Sequence, residues 1–282
     1  PVRGRAAERQ IPVCVFPPST ASGIGGLTLL SACADKMPAE KFLYFGDNLH
    51  APYGNRSEEE IRLLACRAFG KLAKYPLKAA VIACNTVTAD AAAFLRARYP
   101  FPIVGVEPAV LPAARSGAAR VLVLATKATL RSTRYGALCA RCGNTEIVSY
   151  APERLAAAIE KNIFHRERLD LSKHLPRLKC GAVVLGCTHY IFFKREIEDF
   201  YGCRAYDGNV GAADRLSFLL RGGRIEGDFC QNIGTADHQS INTNICSKKS
   251  QKSAKNTPIF LGMAKNKNKK VFLTFSYTNK CS

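Results

Sequence analysis

Apolar and polar positions along this chain follow two rhythms that take turns. Short apolar runs bounded by breakers stand at 11–16, 41–45, 80–83, 103–106, 120–125, 146–149, 182–186 and 204–206. Runs of this length predict strands buried on both faces, the habit of a parallel sheet. Between them, apolar residues recur at helical spacing over 27–36, 57–75, 86–98, 126–142, 152–163, 169–178, 188–200 and 209–220, with a short helix opening at Glu107-Pro108 and closing near Gly117. In the segment 57–75, Ile61, Leu64, Ala65, Ala68, Phe69 and Leu72 make one buried face, and Ser57 with Glu60 has the form of a capping box. Strands alternating with helices through short connections predict an α/β fold.

One unit of this pattern occurs twice. Ala80-Val81-Ile82-Ala83-Cys84-Asn85-Thr86 and Ala182-Val183-Val184-Leu185-Gly186-Cys187-Thr188-His189 are each an apolar strand, a cysteine, small polar residues and a helical segment. Thr86 and Thr188 are expected to cap those helices. Each cysteine then sits at the carboxyl end of a strand, where open α/β sheets bind ligands. Helix N–H groups there favour a thiolate. The duplication predicts two pseudo-symmetric lobes of mainly parallel sheets flanked by helices, with the site in the cleft between them. The expected division is 11–108 plus 207–223 for a discontinuous first lobe, 109–206 for the second, and 224–282 for a C-terminal extension.

Composition alters this picture in three ways. The 12 cysteines are scattered through apolar and helical stretches, so free buried thiols are expected rather than disulfides. Cys139 and Cys142 form a lone CxxC without a second ligand pair, so no metal site is expected. The net charge of +19 is lopsided: 247–282 holds nine lysines and no acidic residue. That segment is expected to be a solvated, poorly ordered tail, although the apolar islands 258–261 and 271–275 could add an edge strand. No stretch approaches the length of a membrane-spanning helix, and the first ten residues lack the apolar core of a signal peptide, so a cytoplasmic location is expected.

Two cysteines facing each other across a cleft are suited to removing a proton from one face of a carbon and returning one to the other face. One group must be a thiolate and its partner a thiol. A free thiol titrates at about 8.5, so the base needs its pKa lowered, and helix N-termini and His189 are expected to do this. A charged neighbour can keep the other thiol protonated.

The residues that carry this chemistry lie within a longer series. Ser22-Gly23-Ile24-Gly25-Gly26-Leu27, Gly46-Asp47 with Pro52-Tyr53-Gly54, Cys84-Asn85-Thr86, Val104-Gly105-Val106-Glu107-Pro108, Thr126-Lys127-Ala128-Thr129 with Tyr135, Leu185-Gly186-Cys187-Thr188-His189-Tyr190 and Tyr206-Asp207-Gly208-Asn209 follow one another in order. In this the chain resembles the glutamate racemases, of the cofactor-independent aspartate/glutamate racemase family, over roughly residues 13–220. The resemblance implies Cys84 and Cys187 as the two acid/base residues. It implies Ser22, Tyr53, Gly54, Asn85, Thr86, Thr188 and His189 as contacts to a glutamate substrate, with Thr126 and Thr129 nearby. It implies no pyridoxal or other cofactor and a role in supplying D-glutamate for peptidoglycan, and it admits a homodimer. Where the family carries an aspartate after its first strand, this chain has Ala21, preceded by the extra residues 17–20. An alanine offers neither charge nor hydrogen bond, so reduced activity is expected. Two rival readings follow. One is an impaired racemase homologue whose basic tail binds nucleic acid or anionic surfaces, although no base-reading motif accompanies the lysines. The other is an aspartate racemase.

Overall fold

The computed structural model describes residues 13–16, 24–47, 50, 52–222, 261–266 and 269–275, the last two as strand backbone. The expectations at Ala21 and Ser22, and those for most of the extension, lie outside these residues.

The chain alternates as its sequence pattern predicts. Strand β1 (Val13–Phe16), helix α1 (Gly25–Lys36), β2 (Phe42–Gly46), α2 (Glu58–Leu72), β3 (Ala79–Ile82), α3 (Asn85–Arg98) and β4 (Ile103–Gly105) come first. Then follow α4 (Val110–Ala114), β5 (Arg120–Ala125), α5 (Lys127–Arg131), α6 (Thr133–Cys139), β6 (Glu146–Tyr150), α7 (Leu155–His165), β7 (Ala182–Gly186), α8 (Lys194–Tyr201), β8 (Arg204–Asp207) and α9 (Asn209–Leu220). One sheet runs β4-β3-β1-β2 and the other β8-β7-β5-β6, all parallel. The wiring of the two is the same. The first strand takes its successor on one edge and the third strand on the other, so each sheet has a switch point beside its third strand, β3 or β7. Ligands bind at such points in open α/β sheets.

Both faces of each sheet are covered, which is why the strands read as unbroken apolar runs. Val13 and Val15 point to a layer that holds Leu29 and Cys33 of α1 and Leu216 of α9. Cys14 and Phe16 point the other way, to Ile61 and Phe69 of α2 and Leu95 of α3. After β8 the chain therefore returns to the first sheet, and Lys36 pairs with Asp214 at 2.6 Å between α1 and α9. The capping box at Ser57 forms, with both of its hydrogen bonds at 3.2 Å. The nine described cysteines are all free thiols.

Four expectations are corrected. Thr86 is not a cap: Cys84 holds the N-cap position of α3 in extended backbone. Nor does a helix start at Thr188. One 3-10 turn, Tyr190–Phe193, precedes α8. The segment 126–142 is two helices, because Ser132 is extended and its Oγ accepts from the Tyr135 N–H, starting α6 anew. The segment 169–178 keeps only one 3-10 turn, Leu171–Lys173; Leu175 is buried against the second sheet without a helix around it. Of the extension, β9 (Leu261–Asn266) and β10 (Lys269–Phe275) pair antiparallel, and β10 lies parallel to β2 on the sheet edge. β10 takes in the island 271–275, where an edge strand was allowed, whereas β9 overlaps the island 258–261 at Leu261 alone. Among the described residues no helix is long and apolar enough to cross a membrane.

Candidate functional site

The carboxyl ends of the two sheets face one another across a cavity of about 130 Å³. Tyr53, Gly54, Cys84, Asn85, Thr86, Cys187, Thr188 and His189 all line it, with Thr126. Eight of the nine residues expected from the sequence therefore meet in one place; the ninth, Ser22, lies outside the described residues. Thr129 does not line the cavity but stands behind Thr126, their hydroxyl oxygens 3.0 Å apart.

On the first side, β3 ends at Ile82 and, after Ala83 and Cys84, the chain enters α3 at Asn85. This turn aims the Thr86 and Val87 N–H groups and the Thr86 hydroxyl at the Cys84 sulfur. Asn85 Nδ2 donates to the Val106 carbonyl at 3.4 Å, fixing its amide. Tyr53 is buried beside Cys84, and its hydroxyl donates to Asp47 Oδ2 at 2.7 Å. His50 Nδ1 approaches the same carboxylate at 2.9 Å.

The second side repeats this arrangement. The His189 and Tyr190 N–H groups, two and three residues past the cysteine, point at the Cys187 sulfur. His189 adds its ring: Nδ1 lies 3.8 Å from that sulfur, and Nε2 lies 3.2 Å from Glu160 Oε1. With the Glu160 carboxylate accepting from Nε2–H, Nδ1 can accept from the thiol when the ring is neutral and donate to the thiolate when it is charged. The two sides touch directly. Thr86 and Thr126 hydroxyls are 2.9 Å apart, and the Thr188 hydroxyl donates to the Ala83 carbonyl at 3.4 Å.

The electrostatics correct one expectation. The amide groups around each sulfur do favour the thiolate, but burial outweighs them, so both thiols are raised rather than lowered. Cys187 is pushed up to about 12, with the nearby Cys84 adding to the effect. Taking a charge out of water costs more than two amide dipoles return. Both sulfurs therefore rest as thiols in the open cleft, and a base must be generated when the site fills.

Glu160 was not legible as a site residue. It sits on α7 one turn after Ala156 and Ala157, both of which line the cavity. A carboxylate at helical spacing from two small residues was the available signal. Lys127 and Glu153 also line the cleft, as an exposed ion pair. Among the described residues no three His, Cys, Asp or Glu side chains come together as metal ligands.

Comparison with known proteins adds a family context to this geometry. The profile of the Asp/Glu/hydantoin racemases matches residues 26–216. The glutamate racemase of Clostridium perfringens is 38% identical over 218 residues, spanning 73% of this chain and 84% of that protein. That of Pseudomonas paraeruginosa is 44% identical over 198 residues, 67% of this chain and 72% of its own. Among solved structures, Escherichia coli glutamate racemase in complex with L-glutamate and the activator UDP-MurNAc-ala superposes with a TM-score of 0.67 at 28% identity, covering 77% of this chain and 85% of that one.

Proposed function

This chain belongs to the Asp/Glu/hydantoin racemase family, and we propose that it interconverts L- and D-glutamate by proton transfer at the α-carbon, with Cys84 and Cys187 as the two acid/base residues. The observation that carries this reading is the matched pair of cysteines. They follow corresponding strands of two sheets with the same wiring and line one cavity.

The substrate binds with its α-carbon between the two sulfurs. Tyr53, Asn85, Thr86, Thr188 and the backbone at Gly54 hold its polar groups, and Ser22 belongs to the same set. The sulfur facing the α-hydrogen first passes its own proton on, to neutral His189 Nδ1 on the Cys187 side and to water on the Cys84 side, and then, as a thiolate, takes the one on carbon. The opposite thiol then donates a proton to the other face, leaving a thiolate behind. Each turnover swaps the charged and neutral roles, so the two substrate hands use the same pair in opposite order. An α-ammonium group brought into the closed cleft favours the thiolate that burial alone disfavours. The Cys187 side has further support: Glu160 stabilises a charged His189, which in turn stabilises the Cys187 thiolate. Such an enzyme would act in the cytoplasm, feed D-glutamate to peptidoglycan synthesis and need no cofactor. A homodimer is a compatible assembly.

The deciding experiment follows the α-proton of L-glutamate by NMR in heavy water together with optical rotation. Exchange with loss of rotation is the expected result, and it makes Ala21 compatible with activity. Exchange without loss of rotation would leave one base without its partner. No change with glutamate, but turnover of aspartate, would move the assignment to an aspartate racemase. A folded protein silent with both would sink the reading.

A milder test addresses Glu160. Glu160→Gln keeps the hydrogen bond to His189 but removes the charge that favours a protonated ring. We expect kcat to fall by about tenfold, a fraction of what a full acid–base group supplies. The pH profile of kcat should change shape as well, which a purely structural loss would not produce.

A further inference from the structure

We propose that Asp90 and Arg131 form a clasp across the mouth of the cleft that sets its width by holding Thr126 against Thr86. Both are thus positioning residues for the reaction proposed above, on which this inference rests. Asp90 lies on α3, the helix that Cys84 caps, and its side chain is only 5% exposed. Among the described residues its Oδ2 has no hydrogen-bond partner. A buried carboxylate oxygen without a partner is costly and calls for an explanation.

The cation that answers it comes from the other side of the cleft. Arg131 ends α5, the short helix that Thr126 caps, and its Nη2 lies 3.9 Å from Asp90 Oδ2. The same nitrogen donates to the Arg56 carbonyl at 2.5 Å, in the loop before α2. Beside these contacts, the Ala128 N–H donates to the Gly54 carbonyl at 3.3 Å, and Thr86 meets Thr126. Arg131 therefore ties the helix behind Thr126 to two elements of the opposite side. Three of the residues joined at this edge, Gly54, Thr86 and Thr126, line the cavity.

The clasp is linked to protonation. Burial pushes the Asp90 carboxyl up to about 6; Arg131 opposes this most, followed by Arg62 of α2, while Glu58 of α2 adds to it. Arg62 is occupied with Glu58 and with the Asp90 main-chain carbonyl. Arg131 is the cation that approaches the carboxylate from across the cleft. Above pH 6 the ionised carboxylate holds Arg131. Below it, neutral Asp90 leaves Arg131 to the carbonyl of Arg56 and the field of the exposed Glu59 carboxylate, and the cleft edge loosens.

The test measures KM and kcat for L-glutamate from pH 5 to 8.5 in the wild type, Asp90→Asn and Arg131→Gln. In the wild type KM should rise about fivefold as the pH falls through 6, the size of a half-exposed ion pair, with no matching inflection in kcat at that pH. Asp90→Asn should show the raised KM already at pH 7.5 and lose the rise. A pH dependence that arises at another group would persist in that variant and so be told apart. An Asp90→Asn protein with wild-type KM and the same rise overturns the clasp. If Asp90→Asn does not fold, Arg131→Gln carries the same expectation of a raised, flat KM. Hydrogen exchange at the amides of 128–131, corrected for the intrinsic pH effect, gives a readout that needs no turnover. It should quicken below pH 6 in the wild type and be fast throughout in the variants. Unchanged protection would sink the clasp even in a working racemase, whereas pH-linked protection in a protein inert to glutamate would sink only the reaction.

Discussion

Replacing either Cys84 or Cys187 by serine is expected to lower kcat/KM by about 10³- to 10⁴-fold, the upper range for loss of a positioned acid–base group. A serine hydroxyl fits the space but is far too weak an acid to serve as the base at neutral pH. The loss in kcat/KM must be equal in both directions, because the two enantiomers have the same free energy and the equilibrium constant is one. The asymmetry appears elsewhere. In Cys187→Ser, the remaining Cys84 still faces the α-hydrogen of one enantiomer. It can remove that proton, exchange with heavy water, and return a deuteron to the same face. One enantiomer should thus gain deuterium without inverting while the other stays inert. Cys84→Ser should give the opposite preference. Equal exchange of both enantiomers in either variant would contradict two bases on opposite faces. In the wild type, kcat/KM should climb from pH 7 toward 9. Burial raises both thiols, so the thiolate is the scarce form at neutral pH, and raising the pH supplies it.

The part of this site that could be read from the chain is the part written in local pattern. The runs before Cys84 and Cys187 are apolar on both faces because the strands are covered on both sides, and the breakers around them mark where each sheet ends. The duplicated wiring makes two distant cysteines meet, so finding the unit twice was enough to anticipate the cleft. What was not legible depended on contacts between elements. Ser132 divides one expected helix because its hydroxyl takes the Tyr135 N–H, a choice a helical pattern does not reveal. Glu160 looks like any exposed helix carboxylate until His189 is brought to it from 29 positions away. The thiol acidity is hidden in the sequence for a related reason. The helix N–H groups are evident from the strand-to-helix turn, but the burial that outweighs them is a property of the assembled cleft. Asp90 likewise is an ordinary polar residue in sequence and becomes an anomaly only once α2 and α5 cover it.

The second large effect is expected at a residue that touches no substrate. Gly25 lies in the first turn of α1, and a Cβ built on it would lie 2.5 Å from His189 Cε1, 2.7 Å from its Nδ1 and 2.6 Å from the Thr188 hydroxyl. Those are contacts no alanine can keep, and both neighbours line the cavity. His189 is fully buried, so the ring cannot step aside without leaving the Cys187 sulfur or Glu160. Gly25→Ala is therefore expected to lower kcat/KM by about 10²-fold, the cost of a displacement of about 1 Å in a reacting group. The fold should survive it. Overpacking costs about 1–3 kcal/mol, and alanine in place of a helical glycine returns about 1 kcal/mol. Gly136 of α6 supplies the contrast, since a Cβ there meets nothing within 4 Å. Gly136→Ala should raise the melting temperature slightly and leave turnover intact. Thermal melts beside kinetics separate the two cases. A Gly25→Ala enzyme that melts near the wild type but turns over slowly places the loss in the position of His189 and Thr188. One that turns over normally would mean that the α1 terminus yields instead of the ring, and that the contact between these elements does not hold the Cys187 side in place.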